Sequence, residues 1–177
     1  MKILVTGSSG FIGFHLVKKL LDCNYFVVGI DNHNDYYDPA LKEARLSRHA
    51  HHQNHTHLRI DLSDRVTIKA CFETHKPKRV VKLAAQAGVR YSIKNPLAYI
   101  DRNILGFAHI LEVCRHSGIE HLVYASSSSV YGANTTVPFS VHHNLDHPLS
   151  IYAARKKSKD GDVAPSAWRH ARYVCRY

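Results

Sequence analysis

A glycine-rich turn near the N-terminus constrains the fold of this chain more than any other feature. It covers residues 7–13 as Gly-Ser-Ser-Gly-Phe-Ile-Gly, directly after an apolar run at 3–5 and directly before an amphipathic segment at 11–21. A strand, a glycine turn and a helix in this order direct backbone N–H groups at the pyrophosphate of a dinucleotide. The sequence therefore predicts a phosphate-binding unit here. The plainer alternative is that the glycines only permit a tight turn and close helix packing.

An acidic residue after the next apolar run strengthens this prediction. Residues 25–30 have the composition of a second buried strand, which Asp31 closes 18 positions after Gly13. A spacing of about 20 is typical of a carboxylate that accepts hydrogen bonds from an adenosine ribose. Because such a carboxylate repels a 2′-phosphate, we expect NAD rather than NADP.

Length, apolar runs and cysteine usage exclude several classes of protein. At 177 residues the chain has the length of one domain with a sizeable core. No apolar run reaches the roughly 20 residues of a membrane helix, and the N-terminus does not have the pattern of a signal peptide. The cysteines lie far apart, which indicates reduced thiols in a cytosol. We therefore expect a cytoplasmic protein with no membrane partner.

The net charge of +10 does not indicate a nucleic-acid partner. From Arg155 onward seven Lys or Arg residues accompany two Asp residues, and the remaining excess is spread over predicted helix surfaces. Basic residues interleaved with aromatic ones, as in a nucleic-acid groove, are missing from the sequence. We interpret the charge as a solvated surface.

Five histidines crowd one polar stretch of the chain. They are His49, His51, His52, His55 and His57. Imidazole is a good metal ligand, but the spacings match no finger or zincin pattern, and no cysteine or carboxylate is interleaved. We expect an exposed connecting loop and no metal site.

Apolar runs alternate with helical patterns along most of the chain. Strands are predicted at residues 3–5, 25–30, 57–60, 79–84 and 121–125. The segments between them have helical spacing, including a long helix that starts at Asn95-Pro96 and ends at Gly118. This alternation predicts a parallel sheet with helices on both faces. Ligands of such sheets bind beyond the carboxyl ends of the strands. The residues predicted to gather there are Gly7, Asp31, Asp61, Ala84 and Ser127.

A second group of residues indicates chemistry on a hydroxyl group. Ser127 follows the fifth predicted strand, while Tyr152 and Lys156 are four residues apart and share one face of a helix. An ammonium and an oxidised nicotinamide both lower the pKa of a nearby phenol, which can then take a proton from a sugar hydroxyl. Alone, this tyrosine–lysine spacing also fits a surface helical pair. Behind a dinucleotide turn it predicts a catalytic set.

Five stretches of the sequence resemble the extended short-chain dehydrogenase/reductase superfamily, and within it the NAD-dependent epimerase/dehydratase family. They are residues 5–13, 31–38, 84–92 and 124–132, and Tyr152 with Lys156. The Asn-Asp-Tyr-Tyr-Asp and Ala-Gly-Val-Arg phrases are most similar to the UDP-glucuronate 4-epimerases. The likeness covers residues 1–157. It implies an α/β fold with a Rossmann-type doubly wound parallel sheet, NAD as the cofactor, a UDP-sugar substrate and a homodimer.

The resemblance also implies roles for individual residues. For the cofactor they are Gly7, Gly10, Phe11, Ile12, Gly13, Asp31, Asn32, Asp61, Leu62, Leu83, Ala84, Ala85, Tyr152 and Lys156. For catalysis they are Ser127, Tyr152 and Lys156. Ser127 and Ser128 are candidates for substrate binding, and we add Arg90 as a contact for an acidic sugar; a loop ion pair explains Arg90 equally well.

The implied reaction is the NAD-dependent 4-epimerisation of UDP-glucuronate to UDP-galacturonate through a 4-keto sugar, as part of nucleotide-sugar metabolism and polysaccharide biosynthesis. The alternatives are a UDP-glucose 4-epimerase, a nucleotide-sugar 4,6-dehydratase and a non-catalytic NAD-binding fragment. A dehydratase is expected to carry an acid pair near the fifth-strand serine. Ser128 and Ser129 stand there instead, which disfavours it.

Two departures from the family pattern affect these expectations. Lys82 stands where the family has histidine, and its ammonium either perturbs the cofactor pocket or points to solvent. After Lys157, Gly161 and Pro165 interrupt any helix, so we expect residues 158–177 to be a divergent, disordered tail, as a reading-frame shift with an early stop would give. The sequence therefore predicts an incomplete fold without the C-terminal substrate domain, and impaired epimerisation. The shortened catalytic helix puts the homodimer in question.

Overall fold

Parallel strands alternate with helices in this protein, of which the computed structural model describes residues 1–86, 97, 100–131, 138, 140 and 172–175. The elements are β1 (Lys2–Thr6), α1 (Phe11–Asp22), β2 (Phe26–Ile30), α2 (Pro39–Ser47), β3 (His55–Leu58), α3 (Arg65–His75), β4 (Arg79–Lys82), a π-helical segment (Ile100–Leu105), α4 (Gly106–His116), β5 (His121–Ala125), a 3-10 turn (Ser128–Tyr131) and β6 (Arg172–Cys175).

The described strands form one parallel sheet in the order β3-β2-β1-β4-β5-β6. The chain winds in one direction from β1 to β3 and then returns to pair β4 with the other side of β1. In a doubly wound sheet of this order, ligands bind outside the carboxyl ends of the strands at the point of reversal. The prediction of a Rossmann-type parallel sheet is confirmed, and the reversal lies between β1 and β4.

Two hydrophobic clusters cover the two faces of the sheet. Side chains of a strand alternate between faces, so Ile3 and Val5 of β1 pack with Val17 of α1, whereas Leu4 packs with Phe72 of α3 and Phe107 of α4. Burial of each such side chain contributes roughly 1.5–3 kcal/mol. This packing fixes the strand ends, and therefore the loops that follow them.

The last described strand corrects one expectation about the tail. Residues Arg172–Cys175 form β6, which pairs in parallel with β5 from Leu122 to Ala125. The sequence analysis expects residues 158–177 to be a disordered tail, and for these four residues that is wrong. Four residues are too few to show a period, and an uncovered sheet edge offers unpaired N–H and C=O groups to any segment that reaches it. Residues 158–171 lie outside the described residues, and the domain boundary at 157 stays a prediction.

The helices follow the predicted order, with one interruption. Asp64 caps α3, since its Oδ1 accepts hydrogen bonds from the N–H groups of Val66 and Thr67 at 3.1 Å. Gly118 has a φ of +62°, which suits its predicted role as a helix terminator. Residues Ile100–Leu105 are π-helical rather than α-helical, which helical spacing alone did not predict. None of the described helices has the length and apolar content to cross a membrane.

The histidine-rich stretch is not the exposed loop that the sequence predicts. His51 and His52 are exposed, but His49 is buried and His55 and His57 are half-buried. The rings pack on one another, and His49 also packs on Phe14 in the first turn of α1. The ring centroids are 4.6 Å apart for His49–His55, 5.0 Å for His33–His57 and 5.6 Å for Phe14–His49. The histidine side chains of this stretch therefore pack at the β3 edge of the sheet. Strand β3 begins at His55 instead of the predicted residue 57, because His55 pairs with Val27 of β2.

These imidazoles predict a pH-dependent stability. Burial, with the charges of neighbouring histidines, lowers the pKa of His55 and of His57 to about 4. In the unfolded chain the same rings bind protons from about pH 6.5 downward. Their contribution to stability is therefore complete above pH 6.5 and is lost progressively as the pH falls toward 4. We expect the free energy of unfolding, from urea denaturation, to drop by on the order of 2 kcal/mol between pH 7 and pH 5.

A variant pair isolates the cause of that drop. His55→Asn combined with His57→Gln removes both buried imidazoles and should flatten the dependence between pH 7 and pH 5. His51→Gln combined with His52→Asn removes two exposed imidazoles and should leave the dependence unchanged. Equal slopes in the two double variants would contradict this explanation.

Candidate cofactor site

The connection from β1 to α1 is tight because its glycines carry no side chain. Gly7 has a φ of +71°, and a Cβ atom added to it would lie 2.8 Å from the backbone nitrogen of Ala84. A Cβ atom on Gly13 would lie 2.0 Å from the carbonyl oxygen of Gly7, and one on Gly10 would lie 3.2 Å from the same oxygen. The turn therefore packs against both the start of α1 and the residues that follow β4.

The start of α1 is suited to an anion. Gly10 precedes the helix without a side-chain cap in the described part of the chain, and the first turn holds no acidic residue. The first N–H groups of a helix have no partners within it, and the helix dipole adds positive potential there. Backbone donors and space without side chains are what a pyrophosphate needs.

A cavity of about 480 Å³ lies outside the carboxyl ends of the strands, next to this turn. Every predicted cofactor residue within the described part of the chain lines it: Gly7, Gly10, Phe11, Ile12, Gly13, Asp31, Asn32, Asp61, Leu62, Leu83, Ala84 and Ala85. These residues follow four different strands. Their convergence on one cavity is what the sequence predicts for a dinucleotide site.

Asp31 is held in place by backbone donors at the end of β2. Its Oδ2 accepts a hydrogen bond from the N–H of Ser9 at 3.2 Å, and its Oδ1 accepts one from the N–H of His33 at 3.0 Å. The residue is 8% exposed. The carboxylate is therefore fixed between the glycine turn and the loop after β2, with lone pairs left for a ribose hydroxyl.

Asn32 and Asp61 are joined across the cavity wall. The Nδ2 of Asn32 donates to Oδ2 of Asp61 at 2.7 Å, while Oδ1 of Asp61 accepts from the N–H of Ser63 at 2.9 Å and from its Oγ at 2.7 Å. Burial by itself would raise the pKa of Asp61, but the hydrogen bonds from Ser63 and Asn32 hold that pKa below its usual range. Asp61 is therefore an ionised, rigid part of the wall.

The sequence analysis missed three cations that line the same cavity, namely Lys42, Arg45 and Arg102. Lys42 and Arg45 are three residues apart on α2, directly after the acidic loop, and this helical spacing is a signal that could have found them. Arg102, whose Nη1 donates to Oε1 of Gln86 at 2.9 Å, lies in the π-helical segment. The direction of the Arg102 side chain depends on that irregular turn, so α-helical spacing could not have predicted that Arg102 lines the cavity.

The predicted catalytic residues are described in part. Ser127 follows β5, and its Oγ accepts hydrogen bonds from the N–H and Oγ of Ser129 at 3.2 and 3.0 Å. Ala125 lines the cavity, whereas Ser127 and Ser128 are not among its lining residues. Tyr152, Lys156 and Arg90 lie outside the described residues. Their roles stay predictions.

Lys82 does not point to solvent. It is 2% exposed, its Nζ donates to the carbonyl oxygen of Ala84 at 2.6 Å, and Nζ lies 5.5 Å from the ring centre of Phe107. The ammonium is thus stabilised by a carbonyl and an aromatic face. Lys82 does not line the cavity, so its effect on the cavity passes through Ala84, the residue against which Gly7 packs.

The fold and the cavity define a Rossmann-type dinucleotide-binding domain: a 3-2-1-4-5 strand order, a glycine turn at the point of reversal and an acid after β2. A family model described as GDP-mannose 4,6 dehydratase matches residues 4–172, which extends past the expected limit at 157. The chain belongs to this family of NAD-dependent nucleotide-sugar epimerases and dehydratases.

Similar proteins are longer than this chain. Protein CapI of Staphylococcus aureus is 55% identical over 160 residues, which are 90% of this chain and 48% of CapI. A probable UDP-glucuronate 4-epimerase of Rhizobium meliloti (strain 1021) is 43% identical over 160 residues, which are 90% of this chain and 47% of that protein. The structure of UDP-glucuronic acid 4-epimerase from Bacillus cereus with UDP-glucuronic acid and NAD is 31% identical to this chain, with a TM-score of 0.88. The match covers 100% of this chain and 56% of the Bacillus cereus chain. The chain spans about half the length of these relatives.

The two glycines that face the Gly7 carbonyl give a matched test of the turn. Gly13→Ala gains helix propensity of about 1 kcal/mol, yet its methyl group would overlap the Gly7 oxygen, so we expect a net loss of roughly 3 kcal/mol in the free energy of unfolding. Gly10→Ala meets the same oxygen at 3.2 Å and should cost about 1 kcal/mol, the usual penalty of alanine at a helix N-cap. Urea denaturation of both variants measures the difference, and equal losses would show that the contact does not constrain the turn.

Proposed function

We propose that this chain provides the NAD-binding part of a nucleotide-sugar 4-epimerase that acts on UDP-glucuronate. The observation that carries the proposal is the single cavity in which the glycine turn, Asp31, and the Asn32–Asp61 pair meet. The relatives support it, since two of those compared carry the name of UDP-glucuronate 4-epimerase. The reaction belongs to nucleotide-sugar metabolism and supplies an activated sugar for polysaccharide biosynthesis.

The residues present fit a dinucleotide. Any side chain at Gly13 would collide with the turn, so the backbone at the start of α1 stays bare for a pyrophosphate. Asp31 would accept hydrogen bonds from the adenosine ribose, and Asp61 with Leu62 would lie beside the adenine. Leu83, Ala84 and Ala85 would line the nicotinamide side. The chemistry that NAD supplies when bound is reversible acceptance of a hydride.

The chain's own residues would handle the proton. Tyr152, with its pKa lowered by the Lys156 ammonium, would take the proton of the sugar 4-hydroxyl. The Ser127 hydroxyl already accepts two hydrogen bonds from Ser129, which leaves its own proton to donate to the same sugar oxygen. Arg90 and Ser128 would contact the sugar. With the 4-hydroxyl proton on Tyr152 and the 4-hydride removed, the 4-keto sugar would turn over in the site. Its 4-carbon would then regain the hydride on the opposite face, and the new hydroxyl would take its proton back from Tyr152.

Two other activities fit less well. A 4,6-dehydratase needs an acid pair after the fifth-strand serine, and Ser128 and Ser129 occupy those positions. A UDP-glucose 4-epimerase is harder to distinguish from a UDP-glucuronate 4-epimerase. The phrase at residues 31–38, which is most similar to the glucuronate enzymes, contributes Asn34, Tyr36 and Tyr37 to the cavity, but the proposal assigns none of them a contact with the sugar. A non-catalytic NAD-binding module is the second candidate, since the predicted cofactor residues line the cavity and Ser127 does not.

Binding and turnover are measured separately to test the proposal. Calorimetry of the purified chain should show one NAD bound per chain, and Asp31→Ala should weaken binding by about tenfold or more through the lost charge-assisted hydrogen bond. Asp22→Ala, which removes an exposed carboxylate at the far end of α1, is the matched control and should leave NAD affinity unchanged. Absence of NAD binding by the unaltered chain would contradict the proposal.

Turnover decides between an epimerase and a binding module. We expect the chain to convert UDP-glucuronate to UDP-galacturonate at a strongly reduced rate, measured by chromatography of the two nucleotide sugars. Tyr152→Phe should abolish the residual conversion while NAD affinity stays within a factor of about three. Stoichiometric NAD binding without conversion of UDP-glucuronate or UDP-glucose would favour the non-catalytic module.

A further inference from the structure

A buried lysine stands next to the acid that the sequence singles out. Lys42 is 6% exposed, and its Nζ lies 3.7 Å from Oδ1 of Asp31. Both residues line the cavity. The helix that carries Lys42 starts in a defined place, because Asp38 caps it by accepting a hydrogen bond from the N–H of Ala40 at 2.8 Å and Pro39 fixes its first turn. Lysine is almost never buried unless it is paired, so this position calls for an explanation.

Asn34 determines the direction of the ammonium. Lys42 Nζ donates to the carbonyl oxygen of Asn34 at 2.9 Å and to its Oδ1 at 3.1 Å. An ammonium has three donors, so one remains for another acceptor. The 3.7 Å to Asp31 is longer than a hydrogen bond, and the two groups therefore attract each other without binding directly. At this edge the cavity presents an acceptor and a donor as neighbours.

The surroundings of this pair are cationic. Arg45 is three residues beyond Lys42 on α2 and lines the cavity as well. Glu43, the acid between them, is engaged elsewhere: Oε1 accepts from Nη2 of Arg59 at 2.6 Å and contacts Nδ1 of His33 at 2.8 Å. Helix α2 therefore contributes two cations, Lys42 and Arg45, to the cavity that Asp31 lines.

We propose that Lys42 is a specificity-determining residue, which acts with Asp31 to decide between a ribose diol and a ribose 2′-phosphate. This inference rests on the proposed NAD-binding function. The carboxylate accepts from a ribose hydroxyl, the ammonium donates to one, and together they match a diol. Asp31 repels a 2′-phosphate whereas Lys42 attracts one, so the balance of the two charges sets the selectivity. Neutralising the Asp31 carboxylate should therefore be enough for the site to accept NADP.

Calorimetry with NAD and with NADP on four forms of the whole chain tests this. The unaltered chain should bind NAD and exclude NADP. Asp31→Asn should lose about tenfold in NAD affinity and gain at least about tenfold in NADP affinity. Lys42→Gln, which keeps a donor for Asn34 but removes the charge, should weaken NAD binding by about three- to tenfold and still exclude NADP. The double variant should lose the NADP binding gained by Asp31→Asn.

The NADP affinity of the double variant decides whether Lys42 takes part in selectivity. If Asp31→Asn with Lys42→Gln binds NADP as well as Asp31→Asn alone, Lys42 takes no part in selectivity and the inference is wrong. It is also wrong if Asp31→Asn still excludes NADP while the unaltered chain binds NAD. Failure of the unaltered chain to bind NAD would instead overturn the proposed function, and the inference with it.

Two controls separate selectivity from general effects. Lys69→Gln removes an exposed lysine of α3, whose side chain is 70% exposed, and should change neither affinity. Lys42→Met, an uncharged residue of similar length, repeats the Lys42 measurement in case the glutamine disturbs folding. Thermal unfolding of each variant identifies those that remain folded, and NADP binding by a folded Asp31→Asn with Lys42→Met variant at the level of Asp31→Asn would contradict the inference equally.

Discussion

The site depends on the close contact between the glycine turn and the chain after β4. Gly7 lies against Ala84, and the Ala84 N–H donates to Oγ1 and to the carbonyl oxygen of Thr6, both at 3.1 Å. Lys82 secures the other side of this contact by donating to the Ala84 carbonyl at 2.6 Å. A side chain on Gly7 would push the ends of β1 and β4 apart. The reversal of the sheet and the mouth of the cavity therefore depend on direct backbone contact between Gly7 and Ala84.

A second set of polar contacts extends this rigid centre toward β2 and β3. Ser9 donates through its N–H to Asp31, and its Oγ lies 2.8 Å from Nε2 of His33. His33 adopts a φ of +49°, an uncommon conformation for a residue with a side chain, and its own N–H reaches Asp31. The ring of His57 packs edge-to-face against His33, and the ring of His55 lies 6.3 Å from that of His57 at a tilted angle. At the β3 edge, imidazole rings therefore fill the space that aliphatic side chains fill elsewhere in the sheet.

Local patterns predicted most of this fold, and the misses have physical causes. The glycine turn, Asp31, Asp61 and the end of β4 were predictable because strand ends of a parallel sheet share one edge. The burial of His49 was not, since polar residues in a row indicate a loop unless their packing partners are known. The π-helical segment and β6 depend on tertiary contacts that neither spacing nor composition contains. Lys42 was visible in the sequence, but its importance emerges only from its 3.7 Å separation from Asp31.

The cofactor elements and the catalytic elements differ in how they are held. The described residues that we propose for the cofactor lie between Gly7 and Ala85, and contacts within this stretch hold them: the turn with Ala84, Ser9 with Asp31, Asn32 with Asp61. The residues proposed for catalysis come later in the chain, after β5. Ser127 is where the two meet, since it follows a strand of the same sheet that ends at the cavity with Ala125. Under the proposed function, affinity for a dinucleotide would be determined mainly within the first four strands, whereas turnover would depend on how the chain after Ser127 brings a phenol to that serine.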